Sequence, residues 1–128
     1  MRFPLMPNAP RMTSEQASAI LRELPSDKAF YFYREVNSPL NVSAGSLGEF
    51  LARITTVEPT SLAFHCGRGD FENWVSMLGD DELVKKLAGV RGSRLKDESL
   101  RTRLYATTKS RVDQLARLRR EQLKAGVS

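Results

Sequence analysis

The chain predicts an α+β domain: a small sheet containing a strand-helix-strand crossover, packed by short helices and followed by a long basic C-terminal helix. Three observations predict it. Aromatic alternation at Ala29-Phe30-Tyr31-Phe32-Tyr33 and a shorter apolar alternation at Ser61-Leu62-Ala63-Phe64-His65 read as strands. Two capping boxes, Thr13-x-x-Gln16 and Ser46-x-x-Glu49, each open an apolar stripe at i, i+3, i+4, i+7. From about Asp97 to Lys124 there is no Gly or Pro, as in a single long helix.

Residues 1–12 hold three prolines and no hydrophobic period, so they are expected to form a flexible arm. Residues 13–92 are expected to form the single α+β domain, and residues 93–128 the basic helix that packs on it. The first helix, near 14–24, carries Ala17, Ile20, Leu21 and Leu24 on one face and stops before Pro25. The first strand, near 29–35, puts Phe30 and Phe32 on one side and Tyr31 and Tyr33 on the other. Asn37-Ser38-Pro39 turns the chain, and Leu40-Asn41-Val42 is short enough to serve as a return strand. The helix near 46–55 buries Leu47, Phe50, Leu51 and Ile54. The strand near 61–65 then completes a crossover, most simply a right-handed parallel one. Gly67 and Gly69 are expected to turn that strand into a helix capped by Asp70, with Phe71, Trp74, Val75 and Leu78 inward until Gly79. Asp80 caps the next helix, whose Leu83, Val84 and Leu87 face the core before Gly89. Along the last helix Leu100, Leu104, Val112, Leu115, Leu118 and Leu123 fall on one side, with Asp97 to Arg101 and Asp113 to Arg117 as i,i+4 pairs.

Composition excludes several classes. With 128 residues, 41% hydrophobic and 27% charged, the chain has one domain's worth of foldable sequence. No apolar run reaches the roughly 18 to 20 residues of a membrane span, and the proline-broken start is a poor signal peptide, so no membrane partner and a cytoplasmic location are expected. One cysteine makes no internal disulfide. The net charge of +5 is asymmetric: residues 1–84 carry 7 basic and 11 acidic side chains, a sum of −4, whereas residues 85–128 carry 13 and 4, a sum of +9. Such a localised excess suits an anionic partner.

The string Phe30-Tyr31-Phe32-Tyr33, Ser46-Leu47-x-Glu49-Phe50, Ser61-Leu62-x-Phe64-His65, Arg68-Gly69-Asp70-Phe71-Glu72-x-Trp74 and Leu78-Gly79-Asp80-x-x-Leu83 resembles a prokaryotic, mainly archaeal, domain-of-unknown-function family, numbered 5752. The likeness spans roughly residues 28–90, and Leu100-Arg101 with Val112-Asp113-Gln114-Leu115 is similar to the tail of its small archaeal members. It implies the fold and a microbial cytosolic setting and carries no function with it. Where members of that family have a glycine-containing turn after the first strand, this chain has Asn37-Ser38-Pro39-Leu40-Asn41.

Two places could carry function. The only His, Cys and Trp fall in the run His65 to Trp74. There His65, Arg68, Asp70 and Glu72 form a candidate ligand site at a helix start, a place that favours anions, although a capping Asp70 would put its own charge there. Cap, turn and ion pair would equally explain the same residues. Nucleophilic catalysis finds no support, because His65 and Cys66 on a strand would point to opposite faces. No spacing suits zinc and no phosphate loop is present, so neither metal nor cofactor is expected. The second place is the basic helix. Between residues 99 and 124 there are eight basic side chains and two acidic ones, with Arg103, Lys109, Arg117, Arg120 and Lys124 opposite the leucines. Tyr31 and Tyr33, if uncovered, would add a stacking platform for single-stranded nucleic acid. The leading expectation is therefore a non-enzymatic module whose basic helix binds RNA or a ribonucleoprotein. A small anionic-ligand or regulatory site at His65 to Asp70 is the alternative, and a protein–protein interaction or dimerisation module, with a homodimer formed through the long helix, is the third.

Overall fold

The computed structural model describes residues 12–127, with side chains through residue 120. The expected arm lies outside the described residues except for Met12. Helix α1 (Ser14–Ile20) is opened by the full capping box, with Thr13 Oγ1 accepting from Gln16 N–H at 3.0 Å and Gln16 Oε1 accepting from Thr13 N–H at 2.8 Å. It is shorter than its apolar stripe, because Leu24 N–H leaves the helix to bond Gly45 O at 2.7 Å.

The sheet is an antiparallel pair, β1 (Phe30–Glu35) and β2 (Ser38–Ala44). The return strand at Leu40 to Val42 is thus present and longer than expected. Asn37 takes the left-handed conformation at the hairpin turn, φ 62°, and Asn41 does so at the register shift, φ 59°. Asn is the side chain that tolerates this region best after Gly, so the glycine turn of the related pattern is replaced without loss of the hairpin. Phe30 and Phe32 turn inward, and Pro39 is confined to an outer strand where its missing N–H is harmless.

Helix α2 (Leu47–Ile54) begins at Ser46, whose Oγ accepts from Glu49 N–H; Glu49 reaches back to Gly45 N–H at 2.7 Å. The expected crossover strand at 61–65 is not a strand. Residues Pro59–Arg68 form helix α3, so the strand-helix-strand unit is corrected to a hairpin followed by helices. Pro59 sits in the first turn, where its fixed φ is already helical and its lack of an N–H costs nothing. The buried positions are Ser61, Leu62, His65 and Cys66, a helical spacing, whereas the apparent alternation rested on Leu62 and Phe64 alone.

Helix α4 (Asp70–Leu78) follows after one residue. Gly69, at φ 75°, ends α3 and starts α4, so Asp70 is inside the helix and does not cap it. Gly67 lies within α3 and makes no turn. Helix α5 (Asp81–Gly92) is capped by Asp80 as expected, and runs through Gly89. Helix α6 (Asp97–Val127) packs on α1, α2, α3 and α5. Its inward stripe is Leu100, Leu104, Thr108, Arg111 and Leu115. The i,i+4 pairs expected at Asp97 and Asp113 are replaced by Glu98 with Arg101 and Lys109 with Asp113. Arg101 also donates to Ile54 O at 2.6 Å, satisfying a carbonyl at the end of α2.

The core is an aromatic cluster. The Phe30 ring lies 4.9 Å from those of Phe32 and His65, 5.3 Å from Phe71 and 5.8 Å from Phe50 and Trp74, mostly edge to face. Leucines of α2, α3, α5 and α6 close around it. Among the described residues no helix is long and apolar enough to cross a membrane.

Candidate functional site: a cleft between the hairpin and two helices

Residues 59–68 are helical, so His65 and Phe64 present different faces, and Phe64 and Arg68 stand one turn apart. His65 is buried against the Phe30 ring and both of its ring nitrogens are engaged. Nε2 accepts from Tyr33 N–H at 2.8 Å, which places the neutral ring's proton on Nδ1, from where it is donated to Asp70 Oδ2 at 2.8 Å. Burial lowers the His65 pKa from its usual value, with the Asp70 carboxylate working the other way. His65 therefore acts as a neutral strut between β1 and the start of α4. Its position on β1's outward N–H also shields a strand edge that would otherwise be open.

Asp70 Oδ2 also forms an ion pair with Arg68, whose Nε lies 3.2 Å away. The Arg68 guanidinium lies 4.8 Å over the Phe64 ring, a cation–π contact that holds it in place. Its amino groups have no protein acceptor among the described residues. Glu72 goes elsewhere: it is buried and paired with Arg91 of α5 at 2.8 Å. Of the four candidate ligand residues the structure thus brings together His65, Arg68 and Asp70 and removes Glu72. Cys66 is buried on the far side of α3, where burial, with Glu72 nearby, pushes its thiol pKa up, the opposite of an activated nucleophile.

His65, Arg68 and Asp70 line a cleft of about 540 Å³ between β1 and helices α3 and α4. Its walls include Tyr31, Tyr33, Phe64 and Trp74, with Asn73 and Met77 from α4 and Val36 from the hairpin turn. The Trp74 Nε1–H donates to Lys28 O at 3.0 Å and the Tyr31 hydroxyl donates to Ser26 O, so both rings are fixed at their polar ends. The large hydrophobic side chains left exposed among the described residues are Tyr31 at 46%, Val36 at 65% and Met77 at 41%, and all three belong to this cleft.

Tyr31 is exposed and Tyr33 half-buried, and they do not join the basic helix in one surface, since no α6 residue lines the cleft. Arg103, Lys109, Arg117 and Arg120 are exposed on the side of α6 opposite its buried stripe. Lys109 is tied to Asp113 at 3.0 Å, which raises its pKa. The Lys124 side chain lies outside the described residues.

Phe64, Val36, Asn73 and Met77 were not among the candidates from sequence. Reading Pro59 as a helix start would have placed Phe64 beside Arg68. Sequence also gave no hint of the buried pair between Asp80 and Arg111. Arg111 Nε and Nη2 donate to Asp80 Oδ2 and Oδ1 at 2.8 and 2.9 Å, and Nη1 donates to Gln114 Oε1 at 2.7 Å. The partners are 31 residues apart, and the one available signal was an arginine on an apolar stripe.

No curated protein and no solved structure matches the chain. A family model does, over residues 11–109, a segment that contains β1, α3, α4 and every residue of the cleft but not Arg117 or Arg120. The chain therefore belongs to the family of unknown function DUF5752.

Proposed function

We propose that the protein is a non-enzymatic binding module whose ligand site is the cleft between β1, α3 and α4. The observation that carries this is the coincidence of exposed apolar surface with concavity: Tyr31, Val36 and Met77 all open onto one recess that also holds Arg68, Asp70 and Asn73. Small-molecule sites combine an apolar lining with a few placed polar groups, and their volumes run from about 300 to 1,000 Å³. Absence of a free imidazole nitrogen on His65 and the buried Cys66 favour binding over covalent chemistry. A cytoplasmic setting suits a chain whose single cysteine is buried as a thiol.

Trp74, the only tryptophan, is a built-in reporter. Native protein should enhance the emission of anilinonaphthalene sulfonate with energy transfer from Trp74, and Tyr31→Ser combined with Met77→Ser should abolish it. A native protein that leaves the dye dark, or a double variant that binds it equally, overturns the proposal.

A second site, for RNA or a ribonucleoprotein, is supported by the outward row Arg103, Lys109, Arg117 and Arg120 on α6. Phosphate contacts of this kind give salt-dependent affinity with little sequence preference. Arg117→Glu with Arg120→Glu should weaken binding of a single-stranded RNA oligonucleotide at low salt and flatten its salt dependence without altering stability. Equal binding by the variant, or none by the native chain, removes this site.

A further inference from the structure

The polar floor of the cleft is an ion pair with two unused functions. Arg68 Nε lies 3.2 Å from Asp70 Oδ2 as an ion pair, and the Nη groups have no acceptor among the described residues. Asp70 Oδ2 takes both Arg68 and His65, while Oδ1 has no hydrogen-bond donor among the described residues. With His65 neutral, one cation and one anion stand side by side, so the floor carries no net charge. A simple anion would gain from Arg68 and lose to Asp70, and a simple cation the reverse. A zwitterion gains from both.

Beside this pair stand the Tyr31 and Trp74 rings, held by their own hydrogen bonds, and the Phe64 ring, over which Arg68 lies. Such walls suit a flat apolar side chain. Resting on the assignment of the cleft as a ligand site, we infer that its ligand is a free α-amino acid with an aromatic side chain. The carboxylate takes the Nη donors of Arg68, the ammonium donates to Asp70 Oδ1, and the ring lies against Tyr31, Phe64 and Met77.

Titration of the full chain with L-phenylalanine, followed by amide NMR shifts and calorimetry, tests this. Phenylalaninamide lacks the carboxylate and N-acetylphenylalanine lacks the ammonium; each should bind about tenfold or more weakly, as expected when a charged hydrogen-bonding partner is lost. Arg68→Gln should bring phenylalanine down to the affinity of the amide and leave the amide unchanged, and its unaltered melting temperature would show that the fold is intact. N-acetylphenylalaninamide binding as tightly as phenylalanine, or Arg68→Gln leaving phenylalanine unaffected, overturns the inference. If the dye occupies the cleft and no phenylalanine does, the amino acid is excluded and the cleft stands. If neither binds, both fall.

Discussion

Two aspartate clusters sit at the starts of neighbouring helices, and they differ in how completely they are satisfied. At α5, Asp80 caps Leu83 N–H, receives Arg111 through two parallel hydrogen bonds, and is shut off from solvent together with its partner. At α4, Asp70 Oδ2 accepts from His65 and is ion-paired with Arg68, faces a cleft, and leaves donors and an acceptor over. The first ties α5 and α6 together. The second ties β1 to α4 and still has capacity for something else. A polar network that is complete and buried explains itself structurally, whereas one that is half complete beside the exposed Tyr31 ring supports the ligand site proposed above.

Breaking the complete cluster should have the largest effect. Arg111→Ala leaves the Asp80 carboxylate buried without its cation and should destabilise the fold by about 3 to 5 kcal/mol, measured by chemical denaturation. A loss below about 1 kcal/mol would mean that Asp80 is rescued by water and that the two clusters are more alike than they look. His65→Gln should cost less, about 1 to 3 kcal/mol, since it disturbs the partner of the part-buried Tyr33 N–H. Its signature is in the pH profile. The native His65 pKa lies below the unfolded one, so the unfolded chain binds the extra proton and stability falls as pH drops below about 6.5 until the native-state pKa is passed. Above that window the contribution is constant. His65→Gln should remove this slope, and an unchanged slope would assign it to another group.

The smallest effect is expected at Arg68. The side chain is half exposed, and Arg68→Gln should shift stability by less than about 1 kcal/mol. A larger loss would make the cleft cluster structural like its neighbour and remove the contrast between them.

Local signals in the sequence were legible where the physics is local. The capping box at Thr13, the Ser46 and Asp80 caps, the Phe face of β1 and the unbroken run of α6 depend on residues within a turn of each other, and the structure contains them; the Ser46 box is only half formed, because Glu49 accepts from Gly45 N–H and not from Ser46 N–H. The strand assigned to 61–65 failed because two alternating apolar residues outweighed a proline that favours a helix start. That error hid Phe64 and led to Asp70 being placed as a cap, when it is the carboxylate between His65 and Arg68. Glu72 was close in sequence but faces Arg91, because positions 70 and 72 on a helix point in different directions. The cleft itself depends on the hairpin folding beside α3 and α4, a tertiary event with no signature in the chain's periodicity.

Gly69 is a joint one residue long. Helix–helix connections usually contain about 2 to 8 residues and can absorb a change of angle between the elements they link. Here α3 and α4 meet at a single left-handed residue, with His65 bracing the same corner to β1. The wall that α3 and α4 give the recess is therefore set by the fold. A ligand at the proposed site would meet a preformed wall there and would cost little ordering entropy on that side. A side chain at position 69 would have to adopt φ 75°, so substitution there strains the corner of the cleft although Gly69 does not line it.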